Sequence, residues 1–341
     1  MNKTASNRRI LFVGNTRSAF VKRDFEILSR NYDVTLLEPP NNVKDWMKYA
    51  ISTKNEVKMH DLVFGWFAGW HTLPAVHYAK RYRKKTIIVI GGYDAAYVPE
   101  IRYGAFTNFK EKIPAKYVME NADLLLAVSE FTKKEILKRV RPRRVEVVYN
   151  GVDTDKFQLS LNKDNNLVVT VSVLKWKNLK RKGIETFVRA AKYVPDARFV
   201  VIGKFKDDSI NYLKQISPEN VIFTGYVSDK ELVMWMQKAK VICQLSYYEA
   251  FGLAPAEGMA CGCIPVVTRE RSGAPEFVRD LGFYVPYGDP EETAKAINMA
   301  RQADSTNSLA ARKIIEKEFS LKIREKKIIE LIEGIFSGER I

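Results

Sequence analysis

The run VICQLSYYEAFGLAPAEGMACGCIPVVT, residues 241–268, limits the fold more than any other stretch of the chain. Val241–Tyr248 is short, apolar and aromatic at its end, the pattern of a buried strand. Phe251 and Gly252 make a tight loop, and Pro255 suits the first turn of a helix, where a missing N–H costs nothing. Gly262 ends that helix, and Ile264–Thr268 is a second buried strand. The stretch is therefore strand, loop, helix, strand, the unit of an open parallel sheet. Such sheets bind ligands just beyond the carboxyl ends of their strands, and Glu249 stands at one. The amides around Gly252, Leu253 and Ala254 open a helix unpaired and favour an anion. Gly252 has no side chain to hold a phosphate off. Glu257 cannot share that phosphate without repulsion, so it must face hydroxyl donors such as those of a ribose.

The same β-loop-α grammar runs through the rest. Strands are expected at Arg9–Val13, Tyr32–Leu37, residues 62–67, Thr86–Ile90, Ala122–Val128, Val145–Tyr149, Leu167–Leu174, Ala197–Gly203, Val221–Val227 and Phe283–Val285. Helices are expected from Phe20 to Ser29, from Leu73 to Tyr82, after the caps Ser129 and Ser228, after Asp289-Pro290, and from Lys322 to Phe336. With 341 residues the chain should hold two domains. The polar run Asn162–Asn166 marks the linker. The expected divisions are 1–160, 161–320 and a terminal helix in 321–341. The fold class is α/β, with two Rossmann-like, doubly wound parallel-sheet domains.

Two glutamates eight residues apart arise often by chance, but the residues around this pair add weight. EAFGLAPAE resembles the E-x7-E signature of the retaining, sugar-nucleotide-dependent glycosyltransferases of family 4, which have the two-domain GT-B fold with a cleft between the domains. SEFTKKEI and YNGVD also resemble segments of that family. The resemblance implies that Glu249 contacts the transferred sugar, that the loop of Phe251, Gly252 and Leu253 holds the diphosphate, and that Glu257 takes the ribose hydroxyls. It implies a Lys-Gly pair for the diphosphate, matched by Lys182-Gly183, with an earlier cation at Lys177 or Lys175. Tyr226 and Val227 would lie beside the nucleobase. Glu249 and Lys182 are the expected catalytic residues, Glu249 as an orienting group rather than a nucleophile. Lysine clusters are more often solvated faces, and only the resemblance turns this one toward a ligand.

In the first half, Gly14 follows the opening strand, and the resemblance makes it a cleft residue, although turn geometry explains a lone glycine equally well. His71 follows a strand end and reads as a cleft residue or a structural histidine. Many members of the family carry H-G-x-D after the strand at Thr86–Ile90. Here Gly91 occupies the histidine's place and Asp94 remains, a candidate for a hydroxyl of donor or acceptor. The Tyr-rich segment 97–109 reads as an acceptor loop or as plain connection. A terminal helix that crosses back to the first domain is also implied.

The formal net charge is +16, and the first 155 residues carry about +10 of it. A solvated basic surface, an anionic acceptor and an anionic membrane surface all fit. Lys80-Arg81-Tyr82-Arg83-Lys84-Lys85 could meet headgroups or simply suit a helix C-terminus. Nucleic acid is not expected, since no recognition-helix or aromatic RNA-binding signature accompanies the charge. Three cysteines are too few for a disulfide framework, and no metal or cofactor is expected. The first 14 residues lack the apolar run of a secretory signal, and no run approaches a membrane span. A cytoplasmic protein, peripheral at the membrane if lipid is its partner, follows as the expectation. The expected activity is metal-free, retaining transfer of a sugar from a nucleoside-diphosphate sugar to a glycan, lipid or small-molecule acceptor. The alternatives are an epimerase or phosphorylase on the same scaffold, or a non-catalytic binding protein.

Overall fold

The computed structural model describes residues 8–337. Residues 1–7, within the stretch read as lacking a secretory signal, and residues 338–341, the end of the expected division 321–341, lie outside the described residues. Contacts divide the chain into two units. One comprises the described residues up to Tyr149 together with those from Arg324 onward, and the other runs from Asn150 to Ile323.

The first unit alternates β1 (Arg9–Val13), α1 (Ala19–Asn31), β2 (Asp33–Leu37), α2 (Trp46–Met59), β3 (Leu62–Trp66), α3 (Leu73–Arg81), β4 (Lys85–Ile90), α4 (Phe109–Asn121), β5 (Leu124–Ala127), α5 (Glu130–Arg139) and β6 (Val145–Val147). Its strands form one parallel sheet in the order β2-β1-β3-β4-β5-β6. The strands β1, β3, β4 and β5 are almost wholly buried because helices cover both faces, which explains why they read as continuous apolar runs.

The second unit runs β7 (Asp164–Val171), α6 (Trp176–Lys182), α7 (Ile184–Ala190), β8 (Arg198–Ile202), α8 (Ser209–Ile216), β9 (Val221–Gly225), α9 (Asp229–Lys238), β10 (Ala239–Gln244), α10 (Leu253–Ala260), β11 (Ile264–Thr268), α11 (Pro275–Val278), β12 (Phe283–Val285), α12 (Pro290–Gln302), α13 (Ser305–Glu318) and the start of α14 (Leu321–Ser337). Its parallel sheet has the order β12-β11-β10-β7-β8-β9. The winding reverses between β7 and β10, which makes their carboxyl ends the switch point where such sheets bind ligands.

From Arg324 onward α14 packs within the first unit. Arg324 is buried, donating from Nε to Asp24 Oδ1 at 2.7 Å and from Nη2 to Asp24 Oδ2 at 2.6 Å. Its Nη1 donates to the carbonyls of Val148 and Tyr149, each at 2.8 Å. A buried ion pair is tolerated when its remaining hydrogens are satisfied, and here four of the five guanidinium hydrogens have partners.

One local expectation is corrected. Asn162–Asn166 is not a linker, because Asp164–Asn166 begins β7. Arg198 and Arg301 satisfy its polar groups, through Asp164 at 2.5 Å and through the Asn165 carbonyl at 3.0 Å. The lysine cluster before Gly183 forms the short helix α6. Gly183 stops it in the left-handed region, with φ +62°.

Candidate functional site

At the switch point the second unit brings Lys182, Arg181 and Glu249 together. Glu249 follows β10, and a parallel bridge to Ser272 holds its backbone: Glu249 N–H donates to the Arg271 carbonyl at 3.0 Å, and Gly273 N–H to the Glu249 carbonyl at 2.9 Å. Its Oε2 accepts from Lys182 Nζ, from Gln244 Nε2 at 2.8 Å and from Ser246 Oγ at 3.3 Å. Lys182 and Glu249 are 67 residues apart in sequence, yet their side chains are only 18% and 13% exposed. Burial pulls the Lys182 ammonium below its usual range, Glu249 opposes that, and Arg181 adds to it. Burial pushes the Glu249 carboxyl up, but Lys182 and Arg181 outweigh it and hold Glu249 below the usual carboxylate range. Glu249 is therefore a carboxylate at neutral pH.

Glycines decide this contact. A Cβ on Gly183 would stand 1.9 Å from the Leu245 carbonyl oxygen, so α6 can approach the end of β10 only through a glycine. The end of α6 is further tied by Tyr247 N–H to the Arg181 carbonyl at 2.9 Å and by Tyr287 Oη to the Lys180 carbonyl at 2.8 Å. Gly252, with φ +99°, is the residue before α10. The first amides of α10 have no partner inside the helix and make the N-terminus electropositive.

The remaining donor-side expectations divide. Glu257 is buried one turn into α10, at 7% exposure. Phe251 is also buried, its ring tilted against those of Phe277 at 5.0 Å and Phe319 at 6.1 Å. Its ring anchors the loop whose amides are expected to hold the diphosphate. Lys177 is exposed on the first turn of α6, outside the Glu249 cluster. Tyr226, at 77% exposure, and Val227 follow the edge strand β9, three strands from β10 in sheet order. Gln244, Ser246 and Arg181 were not anticipated. Gln244 had a signal, as a lone amide in the apolar run of β10. It is buried, and its Oε1 has no hydrogen-bond partner among the described residues.

The first unit offers a different site. A pocket of about 490 Å³ lies beyond the ends of β3 and β4, walled by Trp46, Phe67, Trp70 and Tyr93, with His71 and Asp94 on its lining. His71 Nε2 donates to the Trp66 carbonyl at 2.8 Å, the tautomer that a carbonyl partner requires, which leaves Nδ1 as a lone-pair acceptor. Burial pulls His71 below its usual pKa, so the ring is neutral. Asp94 is buried on this lining and also holds the backbone. Its Oδ1 accepts from Gly92 N–H at 2.9 Å and its Oδ2 from Ala68 N–H at 3.0 Å, tying the two loops together. Burial pushes Asp94 up to about 6 against those amides. Gly14 is buried against Val21, Phe12 and Trp66 and is not on the pocket lining. At Gly91 a Cβ would stand 2.2 Å from the Phe67 ring, so Phe67 fills the space a histidine there would need.

The family description Glycosyl transferases group 1 matches residues 151–315, and Glycosyltransferase Family 4 matches residues 22–156. A D-inositol 3-phosphate glycosyltransferase of Mycobacterium sp. (strain KMS) is 31% identical over 48% of this chain and 40% of its own length. An N-acetylgalactosaminyltransferase of Campylobacter jejuni, named for a diphospho-undecaprenol-linked acceptor, is 25% identical over 60% of this chain and 57% of its own. The chain thus spans about half the length of these curated relatives. Among solved structures, HepE of Anabaena, in complex with UDP and glucose, matches with a TM-score of 0.77 at 18% identity, over 96% of this chain and 100% of that one. Sucrose-phosphate synthase from Thermosynechococcus elongatus matches with a TM-score of 0.78 at 16% identity, over 98% and 100%. Those two likenesses establish the fold alone, the GT-B arrangement of two parallel sheets.

Proposed function

Because this chain belongs to the family 4 glycosyltransferases of GT-B fold, we propose that it moves a sugar from a nucleoside-diphosphate sugar, bound by the second unit, to an acceptor bound by the first. The observation that carries this reading is the Lys182–Glu249 pair at the switch point, beside the unpartnered amides of α10. Without a donor, each member neutralises the other. A diphosphate supplies a stronger counter-charge for Lys182, and Glu249 then accepts from hydroxyls of the sugar. Charge grows on the leaving diphosphate as the glycosidic bond breaks. Lys182 and the amides of Gly252, Leu253 and Ala254 stabilise that charge more than they stabilise the ground state, which is where rate comes from. Glu257 takes the ribose hydroxyls, and Tyr226 and Val227 border the base. In this reading transfer is with retention, and Lys182 with the loop amides supplies the counter-charge in place of a metal.

In the first unit, the aromatic walls stack on apolar faces of an acceptor, and His71 Nδ1 accepts from its hydroxyl. Among the described residues no helix is long and apolar enough to cross a membrane, so an acceptor on a lipid would be met at the surface. A panel of nucleoside diphosphates and sugar nucleotides tests the reading, because a ligand held by the folded state raises its melting temperature. The expected result is a shift with one nucleoside diphosphate that Lys182→Ala removes, followed by sugar transfer from the matching donor. A panel with no shift, or a product formed from donor alone, would overturn it.

A further inference from the structure

We propose that the first unit carries a second, separate binding site, for a phosphate-bearing anion, in the depression where α3 ends and β4 and β5 begin. This goes beyond the transfer reading, because the depression lies at the opposite strand ends from Asp94 and the aromatic pocket. It measures about 270 Å³ and is lined by Lys80, Arg83, Lys84, Lys85 and Arg143, with Asp123 as its carboxylate. That carboxylate is already fully used. Its Oδ1 accepts from Arg143 Nη1 at 2.8 Å, and its Oδ2 from Thr86 N–H at 3.0 Å and Thr86 Oγ1 at 2.9 Å. Lys80 Nζ donates to Asn121 Oδ1 at 2.7 Å. Arg83, Lys84 and Lys85 have no acidic partner among the described residues. Three uncompensated cations on one small concave surface repel one another and attract an anion with several oxygens.

Helix termination does not account for this. The C-terminal dipole of α3 is already matched by Lys80 and Arg81 in its last turn. Arg83 comes after the helix with φ +54°, in the left-handed region. There the Lys84 N–H closes onto the Ala79 carbonyl at 2.9 Å. Glycine is the residue that this closing turn favours, and a side chain there is strained. An arginine held in a strained backbone, beside two unpaired lysines, is a stability cost retained at a site that uses the charge. The shared ligand chemistry is phosphate, carried either by an anionic lipid headgroup or by a soluble phosphate compound.

The test compares the full chain with Arg83→Gly, with the triple variant R83G/K84Q/K85Q, and with a control triple, K214Q/K230Q/K313Q, that loses the same charge from the second unit. The probes are phosphatidylcholine vesicles with and without phosphatidylglycerol, and inorganic pyrophosphate followed by calorimetry, the pyrophosphate arm being run with Lys182→Ala in every chain so that the diphosphate site proposed for the second unit does not report. Arg83→Gly should bind about fivefold more weakly, at an unchanged or higher melting temperature, which separates loss of a ligand from loss of the fold. The triple variant should bind about a hundredfold more weakly, and the control about as well as the original. Binding to phosphatidylglycerol vesicles names a lipid headgroup; binding only to pyrophosphate with the same losses names a soluble phosphate. Binding to neither probe, an equal loss in the control, or pyrophosphate binding that persists in the triple variant would each overturn the proposal. The last outcome would leave the diphosphate assigned to the second unit untouched.

Discussion

After β10 the chain turns through Glu249 and Gly252 among charges; after β4 it turns through Gly91 and Asp94 among aromatic rings. Both loops leave the carboxyl end of a buried strand. In the first, position is set by backbone against backbone: Gly183 meets the Leu245 carbonyl, and Glu249 bridges to Ser272. In the second, position is set by a side chain filling a gap, since the Phe67 ring lies over Gly91. Rigid backbone placement keeps a charged pair at one separation. A ring that can rotate leaves room to accept different shapes, which suits an acceptor more than a diphosphate.

The comparison can be broken at its stiffest point first. Gly183→Ala should cost about 3–5 kcal/mol of stability, from left-handed strain and an unavoidable clash with a carbonyl. Denaturant melts check this, and a loss below about 1 kcal/mol would mean the backbone contact is soft. Next, Lys182→Ala should raise the barrier by about 2–4 kcal/mol at saturating donor while leaving the aromatic pocket's ligands bound as before. Unchanged turnover would remove Lys182 from the chemistry.

Asp94 tests the neutral side. Its folded pKa of about 6 lies above the ordinary 3.8. Between those values the folded state holds more protons than the unfolded one. This group's contribution is therefore present below about pH 4 and is lost as pH rises through about 6, about 3 kcal/mol in all. The pH slope of unfolding free energy in the original protein, minus that in Asp94→Asn, measures it. A slope of the opposite sign would refute the burial argument. The smallest effect is expected of Gly91→Ala, about 2 kcal/mol, because the Phe67 ring can yield. Phe67 itself has φ +67°, so Phe67→Gly should suit that backbone and relieve the added Cβ. A double variant no more stable than Gly91→Ala alone would show that the gap is not set by the ring.

Much of this is legible in the amino-acid sequence. Arg9–Val13, Ile264–Thr268 and Phe283–Val285 have as strands the limits read from the sequence. Breakers flank each run, and buried strands in a covered sheet need no alternation. Ser129 and Ser228 cap α5 and α9 as expected, accepting from Thr132 and Glu231 N–H, because capping depends on residues only three apart. The helices α2 and α4 carry no clear signal in the sequence. Their apolar residues are scattered, with Val43, Met47, Ile51 and Phe109 exposed in or beside them. Pro114 lies inside α4, where a sequence argument expects a break.

The sequence by itself determined the alternating α/β grammar, the capped helices and the loop carrying Glu249, Gly252 and Glu257, since each depends on neighbours within one or two turns. Only the tertiary structure decided that Lys182, and not Lys177, meets Glu249, that Gln244 supports it, and that Phe251 turns into the core. It also decided that Phe67 occupies the space above Gly91. Those outcomes depend on which strands lie side by side and which atoms then compete for one volume, and no local pattern in the chain records either.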